Sequence, residues 1–396
     1  MSIHRVIADR IQRRVDRFHT ERIAGDWGGQ NILYGRAAGT SDVILMSNDY
    51  LALARDPRVT GAMSAALDGS GGMFASGALL HGEHPQLFLE KALAGHMRAP
   101  AGVLCQSGWD ANVGLLQSIA DAETPVYLDH FAHMSLWQGA RIAGARIHLF
   151  RHNLSDHLRR QIGKYGPGVI AVDAIYSTNG SRCPLPQFCD IADETGSVLV
   201  VDESHSLGID GPDGAGMVVD LGLSDRVHFR TASLSKAFAG RAGFVAANSA
   251  EFAAYFKMES YPAIFSSTLL PHDIAGLAAA LDAIRTDEWR RNRLREVSTV
   301  LRQEMSALGF DLEGSASHIV ALQTGPDVRA IAIRDFLQER GIFGAVFCPP
   351  ATARHRTLIR FSLHAELRDS QIARIVSACA GVRDTFGVAP AAPTGI

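Results

Sequence analysis

Lysine is scarce in this chain. Of 38 basic residues only four are lysines, Lys91, Lys164, Lys236 and Lys257, so chemistry that needs a primary amine has four candidates. Cysteine is sparse too: Cys105, Cys183, Cys189, Cys348 and Cys379 form no C-x-x-C pair. That pattern fits reduced thiols in a cytoplasmic protein better than a disulfide framework. No apolar run reaches the roughly 18 residues of a spanning helix, which excludes membrane insertion. The net charge of −3 gives no reason to expect nucleic acid or an anionic membrane as partner. Arg5, Arg10, Arg13, Arg14 and Arg17 are interrupted by Asp9, Asp16 and Glu21, and no apolar segment follows them. A secretory signal is therefore not expected.

Several catalytic signatures are also missing. The one Gly-Lys pair, Gly163-Lys164, is followed by Tyr165, so there is no P-loop. Neither a G-x-S-x-G elbow nor an H-E-x-x-H pair occurs. His81 and His84 share a Gly/Pro-containing loop and make a poor metal pair, so no metal is expected. Gly211–Gly216 lacks the strand-turn-helix setting of a dinucleotide fingerprint and reads as a loop. Ser233-Leu-Ser-Lys236 matches S-x-x-K, but Ser47-Asn48-Asp49 is not the Ser-Asp-Asn that accompanies it in serine acyl-enzymes.

What is present is an ordinary globular composition, 47% hydrophobic and 20% charged over 396 residues. That length predicts more than one core. Ile3, Val6, Ile7, Ile11, Val15 and Phe18 recur at helical spacing, an exposed amphipathic arm. Short apolar runs then alternate with helix-length segments: 125–129, 146–150, 169–173, 197–202, 226–230 and 243–247. Such runs predict a doubly wound, mostly parallel α/β sheet covered on both faces. After Pro271 come two long helices (272–285, 289–308), then strands at 318–322, 342–347 and 358–363. The expected organisation is an arm (1–45), a large domain (46–285), a smaller α+β domain (286–387) and a disordered tail (388–396).

Four segments fit one chemistry when placed at the strand ends of such a sheet, where ligand crevices form. Ser107-Gly108-Trp109 opens a helix whose unpaired amides and dipole suit a phosphate, although most such turns are only caps. Asp202, followed by Glu203, Ser204 and His205, ends a buried strand and could hold a protonated heterocyclic nitrogen. Taken singly, it reads better as a cap on the following loop. Lys236 follows Thr231-Ala-Ser233-Leu-Ser235, and a partly dry lysine amine can condense with an aldehyde. His133 could stack on a flat cofactor or serve as a structural histidine. Phosphate seat, carboxylate, amine and stacking ring together describe a pyridoxal phosphate site.

At these residues the sequence resembles the α-oxoamine synthases, pyridoxal-phosphate enzymes of fold type I. The matching stretches are Ser47-Asn-Asp-Tyr-Leu51, Gly69-Ser-Gly-Gly72, Tyr176-Ser-Thr-Asn-Gly180, Asp202-Glu-Ser-His205 and Ser233-Leu-Ser-Lys236. Longer runs, Gln106–Gln117, Phe131–Arg141 and Tyr261–Pro271, are similar to the α-hydroxyketone quorum-sensing autoinducer synthases of that family. The resemblance implies a homodimer with its site at the subunit interface, Lys236 bearing the cofactor and Asp202 pairing the pyridine nitrogen. It places His205 and Ser177 at the phenolic oxygen, His133 on the ring, and Ser107, Gly108, Trp109 and Ser233 around the phosphate. Ser266 or Ser267 would reach the neighbouring subunit's phosphate, Arg360 the amino-acid carboxylate, and Asn48 the substrate. Arg354 and Arg356 are alternatives near the acyl-donor entrance. Ser204 stands where the family has alanine, Ala232-Ser233 where it has glycine-threonine, and Leu358 breaks an arginine-rich pair. The implied reaction joins S-adenosylmethionine or 2-aminobutyrate to a medium- or long-chain acyl-CoA. Other α-oxoamine synthases (8-amino-7-oxononanoate synthase, 2-amino-3-ketobutyrate ligase, a serine palmitoyltransferase) and a non-catalytic cofactor-binding protein are the competing expectations.

Overall fold

The computed structural model describes residues 3–32, 34–68, 83–312 and 314–388, with side chains from residue 8 onward. Gly69–Gly72, His81 and the tail from 389 lie outside the described residues. The chain divides into two compact units: Asn48–Glu296 with His364–Glu366, and Met1–Ser47 with Val297–Leu363 and Leu367–Gly395. The division falls inside the helix Glu288–Ala307.

The strands, in chain order, are β1 (Val43–Leu45), β2 (Ala101–Cys105), β3 (Pro125–Asp129), β4 (Arg146–Phe150), β5 (Val169–Asp173), β6 (Val198–Asp202), β7 (Phe229–Ser233), β8 (Gly243–Ala247), β9 (Ile319–Gly325), β10 (Ile342–Phe347) and β11 (Thr357–Ser362). In the larger unit seven of them form one sheet in the order β2-β8-β7-β6-β5-β3-β4. Only β8 runs against its neighbours. The carboxyl ends of the other six therefore share one edge, marked by Cys105, Asp129, Phe150, Asp173, Asp202 and Ser233. Buried strands with crossover helices can cover both faces, as the unbroken runs in β5 and β6 require.

Two strand readings need correction. The strand expected at 226–230 lies at Phe229–Ser233. The shift puts Thr231 in register with Asp202, and polar Thr231 and Ser233 are accepted there because both are hydrogen-bonded. Ala101–Cys105 is a strand that the apolar pattern did not show. Gly102 lets it pair with β8, since a Cβ there would come within 2.1 Å of the Phe244 ring.

The smaller unit has a four-stranded sheet in the order β1-β10-β11-β9. Its β1 comes from the expected N-terminal arm and pairs in parallel with β10, Val43 opposite Ile342. The preceding arm is the helix Ile3–Arg17 continued by a π-helical turn, Phe18–Asp26. Ile11, Val15 and Phe18 are exposed on it. Among the described residues no helix is long and apolar enough to cross a membrane.

Candidate active site

The site is built on the carboxyl edge of the seven-stranded sheet. Ser107 caps the helix Gly108–Ile119 by accepting the Asp110 N–H at 3.1 Å. The helix supplies no acceptor for its first amides, those of Gly108 and Trp109. Gly108 is required by close approach: a Cβ there would stand 2.5 Å from Cβ of Ser233. Helix start and β7 end therefore form one tight cradle. In it Ser233 Oγ lies 2.8 Å from Ser235 Oγ, and the Ser233 N–H donates to Ser204 Oγ at 2.7 Å. Ser204, the departure from the family's alanine, thus ties the end of β7 to the loop after β6.

Asp202 is 4% exposed at the end of β6. Its Oδ1 accepts the Ser204 N–H at 2.8 Å, and its Oδ2 accepts Asn112 Nδ2 at 2.7 Å. A carboxylate has about four lone-pair positions, so these two donors leave capacity for a third N–H. Asp173, at the end of β5, accepts the His133 N–H at 3.1 Å. Burial raises the Asp173 carboxyl well above the usual range, and Asp202 nearby adds to the effect.

His133 caps the helix Met134–Ile142 through Nδ1, which takes Ser135 N–H at 3.3 Å and lies 2.7 Å from Ser135 Oγ. Its ring keeps an exposed face. The crevice around it lowers its pKa, chiefly by desolvation; Asp202 opposes that shift and Lys236 adds to it. These influences put His133, Asp202 and half-buried Lys236 in one electrostatic neighbourhood. Trp109, 44% exposed, meets His133 edge-on with centroids 6.2 Å apart.

His205 follows in the same loop as Asp202, and its Nδ1 lies 2.7 Å from the buried Tyr50 hydroxyl. That hydroxyl donates to Asn48 Oδ1 at 3.0 Å, which brings Asn48 to the same cluster. Ser177 lies in the turn after β5, closed by the Gly180 N–H to Tyr176 carbonyl bond at 2.9 Å. Ser266 and exposed Ser267 follow the short helix Tyr261–Ile264. Both line a cavity of about 20 Å³ with Gln106 and Lys257. Arg360 belongs to the other unit. It is buried in β11, donates to Ser362 Oγ at 2.9 Å and covers the Phe347 ring at 4.7 Å. Arg354 and Arg356 lie between β10 and β11 of that unit.

Asn112 and Tyr50 are site residues that the sequence did not single out. The residues present fit pyridoxal phosphate: a glycine cradle at unpaired helix amides, an oriented carboxylate with accepting capacity, an accessible imidazole face and a lysine beside them.

Known proteins match this sequence and this fold. The aminotransferase class I and II family matches residues 40–378. The chain is 40% identical over 370 residues to the CAI-1 autoinducer synthase of Vibrio campbellii, covering 93% of this chain and 94% of that one. It is 32% identical to the 8-amino-7-oxononanoate synthase of Anaeromyxobacter dehalogenans over 88% of each. Among solved structures, a serine palmitoyltransferase variant from S. paucimobilis with PLP and myriocin bound superposes with a TM-score of 0.83. It shares 27% identity over 87% of each chain. This chain belongs to the class I and II aminotransferase family and, within it, to the α-oxoamine synthases, pyridoxal-phosphate enzymes that condense an amino acid with an acyl-CoA.

Proposed function

We propose that the enzyme joins S-adenosylmethionine or 2-aminobutyrate to a medium- or long-chain acyl-CoA, giving an α-aminoketone precursor of an α-hydroxyketone signal. One amino acid, one acyl-CoA and one proton become one aminoketone, carbon dioxide and CoA. The observation that carries this reading is the near full-length 40% identity to a CAI-1 autoinducer synthase. The site chemistry alone is common to the wider family.

Bound in the crevice, pyridoxal phosphate supplies an electron sink to the α-carbon of the amino acid. Lys236 provides the amine that holds its aldehyde. Asp202 accepts the ring N–H and so keeps that nitrogen protonated. His133 covers the ring face, with its Nδ1 engaged by Ser135. His205 and Ser177 orient the phenolic oxygen. The Gly108 and Trp109 amides, with Ser107 and Ser233, hold the phosphate. Arg360 binds the amino-acid carboxylate, and Asn48 contacts the substrate. The enzyme works as a cytoplasmic homodimer in which Ser266 or Ser267 reaches the phosphate bound by the partner subunit.

A screen of amino donors against acyl-CoA chain lengths, with products identified by mass, tests this. The expected result is an aminoketone from S-adenosylmethionine or 2-aminobutyrate with acyl chains of medium or greater length. Turnover confined to glycine, alanine or serine would assign the enzyme to another branch of the family. Cofactor binding without carbon dioxide release would make it a non-catalytic binder.

A further inference from the structure

Asn112 is 1% exposed in the helix that starts at the phosphate cradle. Both amide hydrogens and the carbonyl oxygen are bonded. Nδ2 donates to Asp202 Oδ2 at 2.7 Å and to Ser135 Oγ at 2.8 Å, while Oδ1 accepts from Thr231 Oγ1 at 2.5 Å. An ionised carboxylate only accepts, so Asp202 fixes which end of the amide faces it. Ser135 Oγ accepts from Asn112 and therefore turns its own hydrogen toward His133 Nδ1, 2.7 Å away. The Ser135 N–H approaches the same nitrogen at 3.3 Å. Two donors aimed at Nδ1 leave the imidazole proton on Nε2.

We propose that Asn112 is a positioning residue with two arms: it aims the Asp202 carboxylate at the cofactor nitrogen and, through Ser135, holds His133 as its Nε2–H tautomer. The proposal deepens the α-oxoamine synthase reading and rests on it. The Asn112 contacts span β6, β7 and the helix Met134–Ile142, and each is a hydrogen bond in which direction matters. Simple space-filling would not require that set. The charged groups facing His133 are Asp173 from β5, Asp202 from β6 and Lys236 beyond β7. Losing the Ser135 hydroxyl exposes Nδ1 to protonation. His133 then takes up a proton at higher pH.

The test compares the parent with Asn112→Ala, Asn112→Asp and Ser135→Ala. Pyridoxal phosphate is titrated into each cofactor-free protein and the bound absorbance followed; pH profiles of kcat/KM are then recorded. Asn112→Ala should weaken cofactor binding about tenfold to a hundredfold, the usual effect of losing a hydrogen bond to a charged group. Asn112→Asp keeps the shape but sets a second carboxyl beside Asp202, and should bind no better than Asn112→Ala. Ser135→Ala cuts only the second arm: affinity should stay within about threefold, while the acid limb of the profile moves to higher pH. Asn112→Ala should move that limb the same way, and Ser135→Ala added to it should move it no further. Unchanged affinity together with an unshifted limb in Asn112→Ala overturns the proposal, as do additive shifts in the double variant. If Asn112→Ala does not fold, Ser135→Ala decides: an unshifted limb overturns it. A parent that takes up no pyridoxal phosphate defeats the enzyme reading itself, and does so before any variant is measured.

Discussion

Nδ1 of His205 lies 2.7 Å from the hydroxyl of Tyr50, although 155 residues separate them in sequence. The phenol gives its proton to Asn48 Oδ1 at 3.0 Å, so the His205 Nδ1–H is the donor to Tyr50. Tyr50→Phe should lower kcat/KM about tenfold, the cost of one buried hydrogen bond to the imidazole. The urea midpoint should stay near the parent value. Steady-state kinetics beside a denaturation curve checks this, and unaltered kcat/KM would remove His205 orientation from the account.

Gly108→Ala should weaken cofactor binding while leaving the fold intact. The added methyl would meet Ser233 Cβ at 2.5 Å, forcing helix start and β7 end apart. Overpacking of this kind costs about 1–3 kcal/mol; felt in full at the phosphate, it raises Kd roughly five- to 150-fold. Equilibrium titration of the cofactor-free variant measures it.

Arg290 anchors the segment that carries Asn48 and Tyr50. It donates to the carbonyls of Leu51 at 2.7 Å and Ala52 at 3.2 Å, and pairs with Asp56 at 2.7 Å and Asp287 at 3.1 Å. Arg290→Met removes the cation and leaves buried acceptors behind. A loss of about 3 kcal/mol in urea unfolding is expected, at the lower end for a broken buried pair because Arg58 still holds Asp56 at 2.8 Å.

His96 gives a pH dependence with a definite sign. Burial, with the Arg285 charge adding to it, holds its pKa at about 4 instead of 6.5. The unfolded chain therefore takes up the proton first as pH falls. Its contribution is complete above about pH 6.5 and is lost between there and about pH 4. Denaturation midpoints of the parent across that window should fall more steeply than those of His96→Gln, which keeps a donor for the Gly214 carbonyl bonded by Nε2 at 3.1 Å. Parallel curves would contradict the assignment.

Much of the larger unit is legible in the sequence because buried parallel strands are continuous apolar runs. Pro125–Asp129 and Val169–Asp173 stand where those runs put them, and so does the antiparallel Gly243–Ala247, which is buried along its whole length. Val43–Leu45 is not legible. It has three residues, and its partner Ile342–Gly344 lies 299 positions away. Phe229–Ser233 was displaced because its polar residues point at partners no pattern reveals. The same limit applies to the site. Lys236, Asp202 and His133 announce themselves by residue type at strand ends. Asn112 is a polar position in a largely apolar helix, and only the structure shows that it holds Asp202, Ser135 and Thr231 together.

The central claim is that Lys236, among four lysines, carries the cofactor. Borohydride reduction of the protein loaded with pyridoxal phosphate, followed by peptide mass mapping, tests it directly. The account predicts one phosphopyridoxyl group per chain, on the peptide containing Lys236, and none on a Lys236→Ala variant. A label on Lys91, Lys164 or Lys257 instead, or no label from protein shown to be folded, would contradict it.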